Sequence, residues 1–164
     1  MENKIKLSKL SAPFKTLITG LVLSLMVGYS VALVQVYHRT SFDSSKTVQY
    51  YRGVESENEL EATPPPSFAT LLSVAHVHSL SQPLMLTLMG FCFALSYVTD
   101  KAKVIFIALS YLSSFTSNLT PFLIRYVGKQ FSVLLPLSQM ILLFTFFIMA
   151  FVVLYDTWGN KNDY

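Results

Sequence analysis

The stretch LLSVAHVHSLSQPLMLTLMGFCFAL, residues 71–95, decides what kind of protein this is. It contains no Asp, Glu, Lys or Arg, and it exceeds the roughly 20 apolar residues that a helix needs to cross about 30 Å of hydrocarbon. Its two histidines and its one amide, His76, His78 and Gln82, gather ahead of Pro83 in the first half. The stretch therefore predicts a transmembrane helix with polar groups toward one end.

Three other segments are long and apolar enough for the same prediction. Together the four predict an all-α polytopic membrane protein, a bundle of four transmembrane helices that forms a single membrane domain over residues 1–164. The predicted helices cover residues 17–36, 68–98, 104–124 and 133–155, with an external loop at 37–66. Hydrophobic residues make up 52% of the chain, so the lipid bilayer is the predicted partner and a nucleic-acid surface is not expected.

Basic residues predict how the chain is oriented. Four lysines lie within residues 4–15, ahead of the first span, and Lys101 and Lys103 lie between the second and third spans. The positive-inside rule places both groups, and with them both termini, in the cytoplasm. The first apolar stretch is about 20 residues, longer than the apolar region of a cleavable signal peptide, so we expect an uncleaved anchor.

The external loop ends in ESENELEATPPP, residues 55–66. Its four glutamates predict a solvated segment, because carboxylates are not buried without partners. The three prolines predict an extended chain just before the second span. Upstream, Tyr50, Tyr51 and Arg52 suit either the membrane interface or contact with a partner protein.

All three histidines fall at one predicted depth, the external ends of the first two spans. His38 follows the first span, while His76 and His78 open the second. Ionisable residues at the ends of membrane helices are functional candidates by default. Haem b takes one histidine from each of two helices, which makes His38 with His76 or His78 the candidate axial pair. Asn118, the amide of the third span, is expected to bond to a histidine or to a bound group.

The histidines also admit roles other than haem ligation. Two residues on a helix are about 200° apart, so His76 and His78 cannot both face one ligand; one is expected to face the bundle and the other the loop or headgroups. Met85 and Met89 are spaced as copper(I) thioether ligands could be, although this spacing is also that of simple packing. The histidines could also be purely structural. The single cysteine, Cys92, excludes an internal disulfide and a CxxCH haem attachment.

Small hydroxyl side chains recur along one face of the third predicted span. Ser110, Ser113, Ser114 and Ser117 are three and four residues apart. Such a strip predicts close helix approach and hydrogen bonds between helices.

Four stretches carry a resemblance to a family of bacterial inner-membrane proteins. They are GYSVALVQVY (28–37), YYRG (50–53), the opening stretch (71–95) and FSVLLPLSQMILLFTFFIMAFVVLYDTW (131–158). Members have one helix, a periplasmic segment and three further helices that open with an HxH signature, here His76 and His78. Some members resemble membrane cytochromes, because the periplasmic segment carries a CxxCH haem c motif. The present chain has a shorter segment without that motif.

The resemblance and the histidines together predict a small electron-transport subunit. It would bind haem b or quinone near the periplasmic face and exchange electrons with a redox protein of the membrane or periplasm. No catalytic residue is predicted, and enzyme activity is left open. The alternative is a non-catalytic structural or assembly subunit of a larger membrane complex, docked through residues 50–61. A transporter is less favoured, since the predicted spans contain no carboxylate.

Overall fold

The computed structural model describes residues 6–54 and 63–159, and these residues are almost entirely helical. The α-helices are α1 (Ala12–Thr40), α2 (Ser44–Arg52), α3 (Phe68–Ala94), α4 (Asp100–Phe122) and α5 (Leu134–Trp158). Short 3-10 turns precede α1 and α5, and a π-helical turn, Leu123–Val127, follows α4. One isolated bridge pairs Val54 with Thr63 across the ends of the undescribed segment.

The segment predicted as an external loop at 37–66 contains a helix, α2, and this corrects the prediction. The Asp43 side chain accepts a hydrogen bond from the Lys46 N–H at 2.8 Å, which caps the start of α2. Gly53 ends the helix with φ of +83°, a conformation that glycine adopts without strain. Asp43 and Gly53 are the two residues from which this helix could have been predicted. The four glutamates predicted to be solvated lie outside the described residues.

Three of the helical segments are long and apolar enough to cross a membrane. They are Ala12–Thr40, Phe68–Ala94 and Lys129–Trp158. The third predicted span, at 104–124, corresponds to α4, which is long enough but not apolar enough to be counted with these three. The reason is the hydroxyl strip predicted above, whose four serines are all buried.

The polar strip of α4 faces the other helices, and its outer face is apolar. Val104, Leu112 and Phe115 are each more than 60% exposed on the protein surface. Inside, Ser110 Oγ donates a hydrogen bond to Thr145 Oγ1 of α5 at 2.9 Å. The predicted interhelical hydrogen bonds of this strip are therefore present. The mean hydropathy of α4 conceals this division, because it averages an apolar outer face with a polar inner face.

The core of the bundle lies where α1, α3 and α4 pack on α5. Phe93 of α3 and Phe146 of α5 are almost fully buried in it. Tyr29 of α1 packs on Phe146 with 4.8 Å between ring centroids. Met85 and Met89 belong to this core or pack against it, so the spacing noted for copper is accounted for by packing.

Contacts at the two ends of the bundle fix how the helices run. Trp158, at the end of α5, donates from Nε1 to Thr19 Oγ1 near the start of α1 at 2.8 Å. At the other end, Arg52 of α2 donates from Nη1 to the Ile124 carbonyl, just beyond α4, at 3.4 Å. We call the latter the α2 end.

Candidate functional site

A cavity of about 150 Å³ lies in the half of the bundle at the α2 end. All five helices contribute to its wall, and most of the lining is apolar. Its notable polar lining residues are Arg39, Tyr51, His78, Gln82, Asn118 and Gln139. No Asp or Glu lines it among residues 6–54 and 63–159. An apolar cavity with a few convergent polar groups is the usual form of a small-molecule site.

The three histidines do not converge on this cavity. His78 lines it and is half-buried, whereas His76 is exposed on the outside of the bundle. This is the division that a 200° separation predicts. His38 is also exposed and does not line the cavity; its ring lies 6.2 Å from that of Tyr37. The cavity therefore receives one imidazole, not the predicted pair from two helices.

Asn118 lines the cavity as a member of a hydrogen-bonded group between α3 and α4. Its Nδ2 donates to Gln82 Oε1 at 3.1 Å, and Ser114 Oγ donates to the same oxygen at 2.7 Å. The predicted partner of Asn118 was a histidine or a bound group; in the structure Gln82 takes that place. These bonds use the Gln82 oxygen and an Asn118 nitrogen. The Gln82 amide nitrogen and the Asn118 oxygen therefore still have hydrogen-bonding capacity for a ligand.

The short helix α2 covers the cavity with two tyrosines. The Tyr50 and Tyr51 rings are perpendicular, with centroids 4.9 Å apart, and the Arg39 guanidinium lies 5.9 Å from the Tyr50 ring centroid. Burial raises the pKa of Tyr51 to about 12, the neighbouring Tyr50 acts in the same direction, and Arg39 opposes both. The Tyr51 phenol therefore stays protonated near neutral pH and can donate a hydrogen bond.

Of the six polar lining residues named above, four were not predicted as site residues, namely Arg39, Tyr51, Gln82 and Gln139. Gln82 and Gln139 had a signal, because an amide inside an apolar span needs a partner. Tyr51 was noted only as an interface or partner contact, because its place at the cavity depends on how α2 folds back over the bundle. Arg39 had no signal.

The side chains that line the cavity and its volume indicate whether a haem or a metal ion would fit. A bis-histidine haem needs two imidazoles, and this cavity is lined by one. Elsewhere in the described part of the chain, no group of three or more His, Cys, Asp or Glu side chains is placed to hold a metal ion. An apolar cavity of about 150 Å³ in another protein admits benzene. The present cavity is thus matched to a single ring and not to a porphyrin.

Comparison with known proteins identifies the membrane domain. A family model described as a transmembrane helical domain, Aq_1264_TM, matches residues 41–164. The chain belongs to this family. No curated protein and no solved structure matches the chain.

The match divides the cavity between two parts of the chain. The Aq_1264_TM domain begins at residue 41, directly after the last residue of α1, and includes α2 to α5. It provides Tyr51, His78, Asn118 and Gln139, while Arg39 comes from α1. The transmembrane helical domain therefore supplies most of the polar lining, and α1 completes the wall.

Proposed function

We propose that this chain is a small electron-transport subunit that binds the ring of a quinone in the cavity at the α2 end. The observation that carries the proposal is the cavity's lining. Around an apolar space of single-ring size stand an imidazole, a protonated phenol, a guanidinium and amides, with no carboxylate among the described lining residues. Quinone oxygens accept hydrogen bonds, and these groups supply donors.

The donors lie on different walls of the cavity. His78 and Gln82 come from α3, Tyr51 from the covering helix α2, and Gln139 from α5. The two oxygens of a quinone lie on opposite sides of its ring, so donors on separate walls suit it better than donors on one. Of these side chains, the imidazole changes protonation most readily near neutral pH. His78 is therefore assigned to accept one of the two protons that a bound quinol releases when it gives two electrons to the redox partner; the second proton passes to water outside the cavity.

The proposal includes a four-span topology with both termini in the cytoplasm of a bacterium. The Trp158 to Thr19 hydrogen bond supports it, because it brings the end of α5 and the start of α1 to one end of the bundle. The 23 residues of α4 give about 35 Å of helix, enough to cross the hydrocarbon. The α2 end, and the cavity, then face the periplasm.

Alkaline phosphatase and green fluorescent protein fusions test this topology. A phosphatase inserted after Lys46 in α2 should be active, and a fluorescent protein fused after Tyr164 should fluoresce. An inactive insertion together with a dark but fully synthesised fusion would reverse the assignment.

The electron-transport part of the proposal draws on the resemblance to inner-membrane proteins with an HxH signature. Some of these carry a CxxCH haem c motif in the periplasmic segment, on the side where the cavity is proposed to open. A redox protein of the membrane or periplasm is the proposed exchange partner for the electrons of the bound ring.

Quinone that remains bound through purification tests the proposal. The protein would be purified from native membranes in mild detergent, extracted with solvent and analysed for quinone by chromatography. We expect about one quinone per chain in the wild type. Ala32→Phe, which places a ring in the cavity wall, should lower the content at least fivefold.

Ala108→Phe is the matched control, because Ala108 is exposed on α4 and does not line the cavity. It should keep the wild-type content, and both variants should unfold near the wild-type temperature. A wild-type content no higher than that of a folded Ala32→Phe variant would contradict quinone binding in the cavity.

A further inference from the structure

A second concave surface lies on the outside of the bundle, between α3 and α4. It is an open groove of about 410 Å³ beside Pro83. Its walls include Leu72 and Ser79 of α3 and Phe115 and Leu119 of α4. Leu72, Phe115 and Leu119 are all exposed on the protein surface, so in a bilayer the groove is open toward lipid.

Three polar side chains along the groove, those of Tyr111, Ser114 and Asn118, already make hydrogen bonds within the protein. The Tyr111 hydroxyl is 2.6 Å from Thr87 Oγ1. Ser114 and Asn118 both donate to Gln82. The lining residues of the groove carry no charge. What the groove offers an occupant is therefore mainly apolar contact.

The groove and the cavity share part of their walls. Ala75 of α3 and Asn118 and Phe122 of α4 line both. The two spaces therefore adjoin at an alanine methyl, an amide and a phenyl ring. This continuity makes the groove more than an isolated depression on the lipid-facing surface.

We infer that the groove holds the isoprenoid tail of the quinone whose ring lies in the cavity, and that the ligand enters sideways from the bilayer between α3 and α4. This inference rests on the proposed function and specifies its substrate class, a membrane quinone with a long tail. Each buried methylene of such a tail adds apolar contact. Tail length should thus control affinity.

The test compares two ligands on three proteins in lipid nanodiscs. The ligands are a tail-less dimethoxy-methyl-benzoquinone and the same ring with a decyl tail. The amount of each ligand bound would be measured at equal free concentration. The variants are Ser79→Phe, which fills the groove, and Ser79→Ala, which leaves it open. Ser79 lines the groove and not the cavity.

We expect Ser79→Phe to weaken binding of the tailed quinone at least tenfold while binding of the tail-less ring stays within twofold. Ser79→Ala should bind both ligands as the wild type does. If Ser79→Phe changes neither ligand, or both equally, the groove does not hold the tail, and ordinary bilayer lipid occupies it. If the wild type binds neither ligand, the proposed function fails, and this inference fails with it.

Discussion

Asn118 of α4 donates a hydrogen bond to Gln82 of α3 at 3.1 Å, beneath the cavity and beside the groove. Ser114 donates to the same Gln82 oxygen. One side chain thereby joins two helices where they separate the interior of the bundle from lipid. These bonds stabilise the packing of α3 on α4, because an unpaired amide facing hydrocarbon is costly.

Replacing Gln82 should weaken the packing of α3 on α4. Gln82→Ala removes the acceptor of two hydrogen bonds, and polar bonds between membrane helices contribute about 1 kcal/mol or less each. We expect the free energy of unfolding to fall by about 1–2 kcal/mol, measured by unfolding from mixed micelles with increasing detergent denaturant. Ser81→Ala is the control, since Ser81 Oγ donates only to Val77 O of its own helix. An equal loss in both variants would contradict the role given to Gln82.

Gly53 should be essential for closing α2 over the cavity. Its φ is +83°, and an added Cβ would lie 2.7 Å from the Thr63 carbonyl oxygen and 2.8 Å from Pro65 Cδ. Gly53→Ala should therefore loosen the connection after α2 and increase protease cleavage there severalfold. Gly20→Ala is the matched control, because nothing lies within 4 Å of that position. Gly20→Ala should leave cleavage unchanged. If Gly53→Ala also leaves it unchanged, the protein absorbs the strain at position 53 and the prediction is wrong.

Much of this architecture follows from sequence pattern. The strip of serines on α4 was predicted from its spacing, because residues three and four apart share a helix face. The opposed faces of His76 and His78 follow from helix geometry in the same way. Both predictions depend only on rotation about one helix axis.

What the sequence did not predict depends on which helices meet. Asn118 was assigned a histidine or a ligand, but the packing of α3 on α4 gives it Gln82. Tyr51 reaches the cavity only because α2 folds back over the bundle, and Arg39 of α1 lines the cavity beside Tyr50. The low apolar content of α4 is explained once its polar face is known to be internal. Tertiary contacts decide each of these points.

The buried phenol of Tyr51 predicts a stability change at high pH. Because the pKa is raised from 10 to about 12 in the folded protein, burial of the neutral phenol contributes fully below pH 10 and is lost as the pH rises toward 12. Between pH 9 and 11.5 the wild type should lose on the order of 1–2 kcal/mol more than Tyr51→Phe. Unfolding measured at both pH values checks this, and equal losses in the two proteins would show that Tyr51 titrates normally.

The optical spectrum separates quinone from haem. One imidazole and single-ring volume lead us to expect a flat reduced-minus-oxidised spectrum in the visible region, even after expression with added haem. A pyridine haemochrome assay would run alongside. A b-type band that disappears in His78→Ala would contradict this expectation and make haem b the ligand of the chain.

Variants of His76 and His78 test most sharply whether the cavity binds quinone. Calorimetric titration with a short-tailed quinone would compare the wild type with His78→Ala and His76→Ala. Loss of one hydrogen bond to the ring costs about 1.4 kcal/mol, or tenfold in Kd. We expect about tenfold weaker binding for His78→Ala and a Kd within twofold of wild type for His76→Ala, whose side chain lies outside the cavity. Unchanged binding in His78→Ala, or equal losses in both variants, would contradict a quinone site in this cavity.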